Sequence, residues 1–413
     1  MTKTKRVAVL GSGIMGSSTA LLLADSGFDV TVYDMAARPF SAASCWNEGK
    51  IHLGFLYSAD PSLNTAREVI PGGLAFKPLV EKMTGCSLAN ATTRTEDTYL
   101  CHRDSVVSPD AMWDYAKRVA KLVSERPDAA QYLVDVSECR VEKLSAREFG
   151  QLTDSPDLLS GIRVPEHSVA TTWVADRFID ALAAQPQIEL CMNTRVEAVA
   201  PLSANDLQSS WRVQTGAGLS DSYDFVVNAL WEGRLAVDRS AGLTTSFGWS
   251  NRYRMSVFLR TAYDVDAPSA VIATGPFGDI KNYNNRDFYL SWYPAGLLVE
   301  SSELLAPPPP EMDAALESEI VSSIISELSS FFPAVADIKA AIANIELRGG
   351  WVFAVGRGNL SDPNSTLHCR DNFGIRRSGC YLSVDTGKYS SAPWLASRVV
   401  DTIAGYRQVN SPK

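Results

Sequence analysis

The chain opens on a short run at 6–10, apolar from Val7 to Leu10, and breaks at Gly11. It resumes as a nearly unbroken apolar stretch over 14–25 and, after a short polar turn, returns to alternating Val and Thr at 30–33. The first and last of these runs have the length and β-branched content of buried strands, and the middle one has the length of a helix. A second helix is expected over 109–124, where Met112, Tyr115, Val119 and Leu122 fall on one face and Ser108 caps a first turn opened by Pro109. A short helix over 176–184 leads to strands at 188–192, 196–199, 211–213 and 225–228. From 255 to 292, apolar runs at 257–259, 271–273 and 288–292 alternate with turn residues such as Asp264, Pro268, Gly275, Pro276 and Asn282, as in an antiparallel sheet. The prolines at 307–310 read as a stiff extended linker. They precede a helix over 311–331 whose Met312, Leu316, Ile320, Ile324 and Leu328 recur at i+4 spacing. Strands at 345–347 and 381–384 and a helix over 391–404 close the chain.

This order predicts an α/β protein. A nucleotide-type unit opens the chain, a strand–helix pair closes it, and an antiparallel block lies between them. The expected architecture is a Rossmann-like dinucleotide domain assembled discontinuously from 1–85, 150–238 and 345–413. An inserted α+β substrate domain on an antiparallel sheet takes 86–149 and 239–344. With 413 residues, 46% of them hydrophobic, the chain is long enough for two cores.

Charge and cysteine usage narrow the function. A net charge of −9 without a basic stripe argues against nucleic acid as partner, and an acidic surface of this kind serves solubility. No run of about 18 apolar residues occurs, so no membrane span is expected. The first residues enter the opening strand directly, and no secretory leader is expected. Seven scattered cysteines without C-x-x-C spacing fit a reduced, cytoplasmic protein. The four histidines show no metal-ligand spacing, so no metal site is expected. Oligomeric state is left open.

The opening unit carries Gly11-x-Gly13-x-x-Gly16 between strand and helix, and Asp34 at the end of the next strand. Gly11 permits the tight turn, Gly13 lets the backbone approach a pyrophosphate, and Gly16 lets helix and sheet pack closely. Ile14 and Met15 sit in the first helical turn, whose free N–H groups and dipole favour phosphate. Asp34 is placed to accept from ribose hydroxyls. These features specify an adenine dinucleotide, and taken alone they suit NAD or FAD. The unit resembles the opening of NAD-dependent β-hydroxyacid dehydrogenases, but those continue as an almost wholly helical domain, and this chain continues in strands.

Three later segments resemble the D-amino acid oxidase-like flavoproteins. Ser44-x-x-Asn47-x-Gly49-x-Ile51-His52-x-Gly54 is similar to a pattern of glycerol-3-phosphate and L-2-hydroxyglutarate oxidases. Gly387-Lys388-Tyr389, leading into the last helix, resembles the turn that approaches the flavin pyrimidine edge in the glycerol-3-phosphate enzymes. Thr194-Arg-Val196 with Phe225–Asn228 resembles the strands that cover the adenosine. There the chain departs from the family, with Leu230-Trp231 where a small residue is usual.

The resemblance implies noncovalent FAD, held by the fingerprint glycines, Ile14, Met15, Asp34, Ser44, Asn47, Gly49, Ile51, Val196, Gly387, Lys388 and Tyr389. It implies His52 at the flavin face as manager of a substrate proton. It places Arg348 on a strand facing the pocket, as anchor for an anionic group, and Lys388 against negative charge on reduced flavin, with Asp385 as a candidate ion-pair partner. Alternation would turn some of Tyr253, Arg254, Tyr283, Tyr289 and Tyr293 into the pocket. The implied activity is transfer of hydride to flavin N5 from a C–H beside a hydroxyl or amine of a small, anionic substrate. Reoxidation would follow by oxygen or another acceptor. An NAD-dependent dehydrogenase and a flavoprotein with a non-oxidase reaction remain the alternatives.

Overall fold

The computed structural model describes residues 4–203 and 206–409. A six-stranded sheet orders Gly374–Ser378, Tyr381–Asp385, Phe225–Asn228, Arg6–Leu10, Asp29–Tyr33 and Ile188–Cys191. Its strands are parallel except Gly374–Ser378, which forms a hairpin with its neighbour. Val7 to Leu10 are buried on both faces, which explains why this strand reads as an unbroken apolar run. Helix Ile14–Asp25 is buried along nearly its whole length, against the sheet and against the last helix, Ala392–Val409.

The second sheet has nine strands, antiparallel but for the pairing of Asp97–His102 with Ala270–Ala273. Strand Trp249–Thr261 is its spine and pairs along its length with Ile342–Val355. One face packs under helices Ala314–Phe331 and Ala334–Ala340 through Val257, Leu259, Ile324 and Leu328. A small third sheet, Val196–Ser203 with Asp206–Thr215 and Gly218–Leu219, lies beside the first.

Most expected elements are present with shifted ends. Helix Pro109–Ser124 has the expected cap, with Ala111 N–H donating to Ser108 Oγ at 3.2 Å. The helix expected from 311 starts at Ala314, because Asp313 caps it by accepting from Leu316 N–H at 2.8 Å. The helix expected from 176 begins at Thr171. The strand expected at 345–347 runs straight through Gly349 and Gly350 to Val355. It and Leu158–Val164 pair in the second sheet, although both lie in stretches the expected division gives to the nucleotide part.

The longest helix, Asn64–Thr84, has no counterpart in the expectation, because Pro71, Gly72, Gly73 and Pro78 lie inside it. Its glycines serve packing. A β-carbon on Gly72 would lie 2.7 Å from Ser391 Cα, and one on Gly73 would lie 2.2 Å from the His52 carbonyl oxygen. The helix therefore presses on two of the segments that build the site.

Candidate active site

A cavity of about 930 Å3 runs from the carboxyl ends of the parallel strands to the second sheet. One end is bounded by Gly11, Gly13, Asp34 and Val196, the middle by Ser44 and Asn47, and the far end by His52, Arg254, Tyr289, Arg370, Lys388 and Tyr389. Ile14, Met15 and Gly387 also line it.

At the first end, Gly11 adopts φ +97°, and a β-carbon there would sit 2.7 Å from the Ala229 carbonyl oxygen. Gly16 lies behind the cavity wall, where a β-carbon would be 1.8 Å from the Gly11 oxygen. Ser12 donates to Asp34 Oδ2 from both N–H and Oγ, each at 2.7 Å, so Asp34 is fixed at the strand end. Ser44 Oγ accepts from Ile14 N–H at 3.0 Å. Trp231, at the family departure, lines this wall and donates from its indole to the Trp351 carbonyl at 2.8 Å, tying the nucleotide loop to the second sheet. Burial pushes the carboxyl of the adjacent Glu232 up to about 7.

The middle segment is a braced turn. Asn47 Oδ1 accepts from Gly49 N–H at 2.8 Å, and Asn47 Nδ2 donates to the Ala43 carbonyl at 2.8 Å. Gly49 and Ile51 do not line the cavity. Gly49 faces the Val169 carbonyl, and Ile51 donates from its N–H to the His167 carbonyl while its own carbonyl accepts from the Tyr132 hydroxyl. Between them Lys50 is almost wholly buried and donates to Asp97 Oδ2 at 2.6 Å, while Lys281 donates to Asp97 Oδ1 at 2.5 Å. Glu166 Oε1 accepts from Leu53 and Gly54 N–H at 2.5 and 3.0 Å, clamping the backbone just after His52.

His52 is buried, lines the cavity, and has no hydrogen-bond partner at Nδ1 among the described residues. Burial and then the charges of Lys388, Lys50, Lys281 and Arg370 hold its pKa well below the usual 6.5, so the ring is neutral at physiological pH. Burial, with Arg370 and Arg252 nearby, depresses the Lys388 ammonium to about 7. Its Nζ lies 5.5 Å from the Tyr57 ring centre.

Two expected roles do not match the placement. Arg348 does not line the cavity; it lies half-exposed on the edge strand, paired with Glu346 at 2.9 Å and over the Trp46 ring. Asp385 does not pair with Lys388. It accepts from Arg234 Nη2 at 2.9 Å and from Gly387 N–H at 2.9 Å, which shapes the turn carrying Lys388. Of the residues expected from alternation, Arg254 and Tyr289 line the cavity, whereas Tyr253 packs on Trp351.

Lys50, Arg370, Trp351 and the prolines at 307–309 line the cavity without having been expected there. Lys50 carried a signal, as a lone cation inside an otherwise apolar and glycine-rich motif. Arg370 carried none, because only tertiary folding brings its loop beside Lys388.

These residues fit an extended flavin dinucleotide. The glycine turn and helix N-terminus open on one end of the cavity, and two unpartnered buried polar atoms, Tyr389 Oη and His52 Nδ1, belong to residues that line the other. The volume lies near the top of the usual range of about 300–1,000 Å3 for small-molecule sites. The fold and cavity thus define an enzyme that brings a dinucleotide cofactor and a small molecule together between two sheets. The chain belongs to the FAD dependent oxidoreductase family, whose model matches residues 6–380. Among solved structures it is similar to glycine oxidase from Geobacillus kaustophilus, 16% identical over 97% of this chain and 95% of that one, with a TM-score of 0.67. Iminodiacetate oxidase from Chelativorans sp. BNC1 gives the same values. FAD-bound L-alpha-glycerophosphate oxidase from Mycoplasma pneumoniae is 14% identical over 98% and 95%, with a TM-score of 0.64. These likenesses establish the shared fold. No described helix is long and apolar enough to cross a membrane.

Proposed function

We propose that this enzyme oxidises a small amine or amino acid at the C–H beside nitrogen, using noncovalently bound FAD. The observation that carries the reading is the continuity of one cavity from Gly11 and Gly13 to His52, Arg254, Arg370 and Lys388. The names of two of the structural neighbours, glycine oxidase and iminodiacetate oxidase, favour an amine over an alcohol.

When bound, FAD supplies the acceptor for the hydride, and oxygen or another acceptor restores it. The chain does the rest. Gly11, Gly13 and the helix at Ile14 would hold the pyrophosphate, Asp34 the ribose, and Val196 would cover the adenosine. Lys388, which lines the cavity just before helix Ala392–Val409, would set positive charge and a helix N-terminus against the flavin ring. Arg254 and Arg370 orient the substrate through its acid group. His52, neutral in this setting, accepts the substrate's N–H as a hydrogen bond or takes its proton. Noncovalent binding is favoured because neither Cys45 nor Cys369 lines this cavity, and burial raises the Cys45 thiol to about 11. Cytoplasmic residence suits cysteines that form no disulfide.

The test is an anaerobic screen of the purified yellow protein against amines, amino acids, hydroxy acids and sugar phosphates. Bleaching by an amine or amino acid is expected. Bleaching by a hydroxy acid or sugar phosphate alone would overturn the reading. In His52→Ala, flavin reduction should slow by about 100-fold or more; an unchanged rate removes His52 from proton handling.

A further inference from the structure

The far end of the cavity holds more positive charge than its own carboxylates balance. Arg252 and Arg254 stand two apart on strand Trp249–Thr261 and share one face of it. Arg252, only 3% exposed, donates from Nη1 to Tyr293 Oη at 2.8 Å. Arg254 donates from Nη2 to Ser291 Oγ at 2.6 Å, and its guanidinium lies 4.4 Å from the Tyr293 ring centre. Arg370 donates to the Phe353 carbonyl at 3.3 Å. All these partners are neutral, and among the described residues none of the three arginines, nor Lys388, forms an ion pair with a carboxylate. Nε of both Arg252 and Arg254 is buried without a hydrogen-bond partner.

Buried cations elsewhere in the protein are treated differently. Lys50 and Lys281 share Asp97, and Arg234 is held by Asp238 and Asp385. Arg254 and Arg370 line the cavity half-buried, and Arg252 is buried beside Arg254 on the same strand. Guanidinium groups withdrawn from water without a counter-charge are costly, so this arrangement implies a ligand that brings the missing charge. Glu48 is the one carboxylate among the described residues lining this half of the cavity, and it forms no ion pair with the cluster. Negative charge on the flavin of the reading above would account for Lys388. One carboxylate engages one guanidinium fork in bidentate geometry, so the two arginines that line this half of the cavity, Arg254 and Arg370, exceed what a single carboxylate uses.

We propose that the substrate carries two carboxylates as well as its amine. Arg254, with Arg252 behind it, takes one acid group, and Arg370 takes the other. The inference rests on the reading above for the flavin's place and the amine, and it extends that reading from amino acids to amino dicarboxylic acids.

The test compares ligands of one shape that differ by one charge. Purified holoenzyme is titrated by calorimetry with succinate and its monoamide, and with glutarate and its monoamide. The dicarboxylates should bind at least about tenfold more tightly. In Arg254→Gln and Arg370→Gln, with unchanged melting temperature and flavin content, the preference should fall below about threefold. Aspartate and glutamate, in either configuration, should reduce the flavin faster than asparagine and glutamine. Equal binding of acid and monoamide, a preference that survives both substitutions, or tighter binding of glycerol 3-phosphate than of any dicarboxylate would overturn the proposal. If the charge preference holds and no amine reduces the flavin, the amine-oxidation reading falls and the inference about charge stands.

Discussion

Gly73 and His52 meet backbone to backbone. A β-carbon on Gly73 would stand 2.2 Å from the His52 carbonyl oxygen, so the central helix approaches the candidate catalytic segment as closely as a glycine allows. Glu166 accepts from the next two main-chain N–H groups, those of Leu53 and Gly54. The backbone at His52 is thus held both by contact with the helix and by a buried carboxylate. Such bracing fixes a side chain whose own Nδ1 is unpartnered.

A glycine-to-alanine pair tests this contact. In an open helical position, alanine gains about 0.5–1 kcal/mol over glycine. Gly150 is such a position, in helix Ala146–Leu152 with nothing within 4 Å of where an added methyl would sit, and Gly150→Ala should be neutral or stabilising. Gly73→Ala should instead cost about 1–3 kcal/mol, because the carbonyl or the helix must move. Denaturant unfolding of both variants gives the comparison. Gly73→Ala should also slow flavin reduction, since the displaced atom belongs to His52.

Asp97 holds two lysines in the protein interior. It is fully buried, as is Lys281, and Lys50 is 3% exposed. Burial alone would raise the carboxyl, but Lys281 and Lys50 outweigh it and hold Asp97 below its usual 3.8. Asp97→Asn should therefore destabilise by about 3–5 kcal/mol at neutral pH, by leaving two ammonium groups without a shared counter-charge. Because the folded-state pKa is the lower one, the stabilisation is complete above the unfolded value and is lost as pH falls through the folded one. The difference between wild type and variant should be flat from about pH 7 to 5 and shrink below about pH 4. Urea titrations across that range measure it.

The elements that the sequence reveals best are those whose burial is uniform or strictly periodic. Val7–Leu10 is apolar throughout because both faces of the strand are covered there, and Ser108-Pro109 announces a helix through local capping chemistry. Helix Asn64–Thr84 is hidden because its two prolines and paired glycines carry negative propensity, which tertiary packing on His52 and Ser391 overrides. The site divides in the same way. Gly11, Gly13, Asp34, His52 and Lys388 stand in local motifs and do line the cavity. Arg370 depends on a loop reaching across the molecule, and no local pattern marks it.

Arg348 shows where a motif-level expectation stops at the wrong residue. Its strand does reach the cavity through Gly350 and Trp351, but Arg348 lies nearer the open edge, half-exposed and paired with Glu346. Exposed pairs of this kind contribute about 0–1 kcal/mol. Arg348→Ala should leave stability within about 0.5 kcal/mol of wild type and the rate of flavin reduction unchanged. A large loss of substrate affinity in Arg348→Ala would return the anchoring role to it.

Lys388 links ligand charge to protons. Burial first, then Arg370 and Arg252, bring its pKa down to about 7 from an ordinary 10.5. In the absence of an added anion, the ammonium is mostly neutral at about pH 8 and mostly charged at about pH 6. A carboxylate bound beside it favours the charged form and raises the pKa again. Binding a carboxylate ligand to the holoenzyme should therefore draw in close to one proton at about pH 8 and far less at about pH 6. Asp279, pushed up to about 6 mainly by its burial, and Glu232 at about 7 also titrate in this region. Lys388→Met separates them. The uptake at about pH 8 should vanish in that variant, while any contribution from the two carboxyl groups persists at lower pH. Calorimetric titrations in two buffers of different ionisation enthalpy count the protons directly. Uptake at about pH 8 that survives in Lys388→Met would mean that another group carries the linkage.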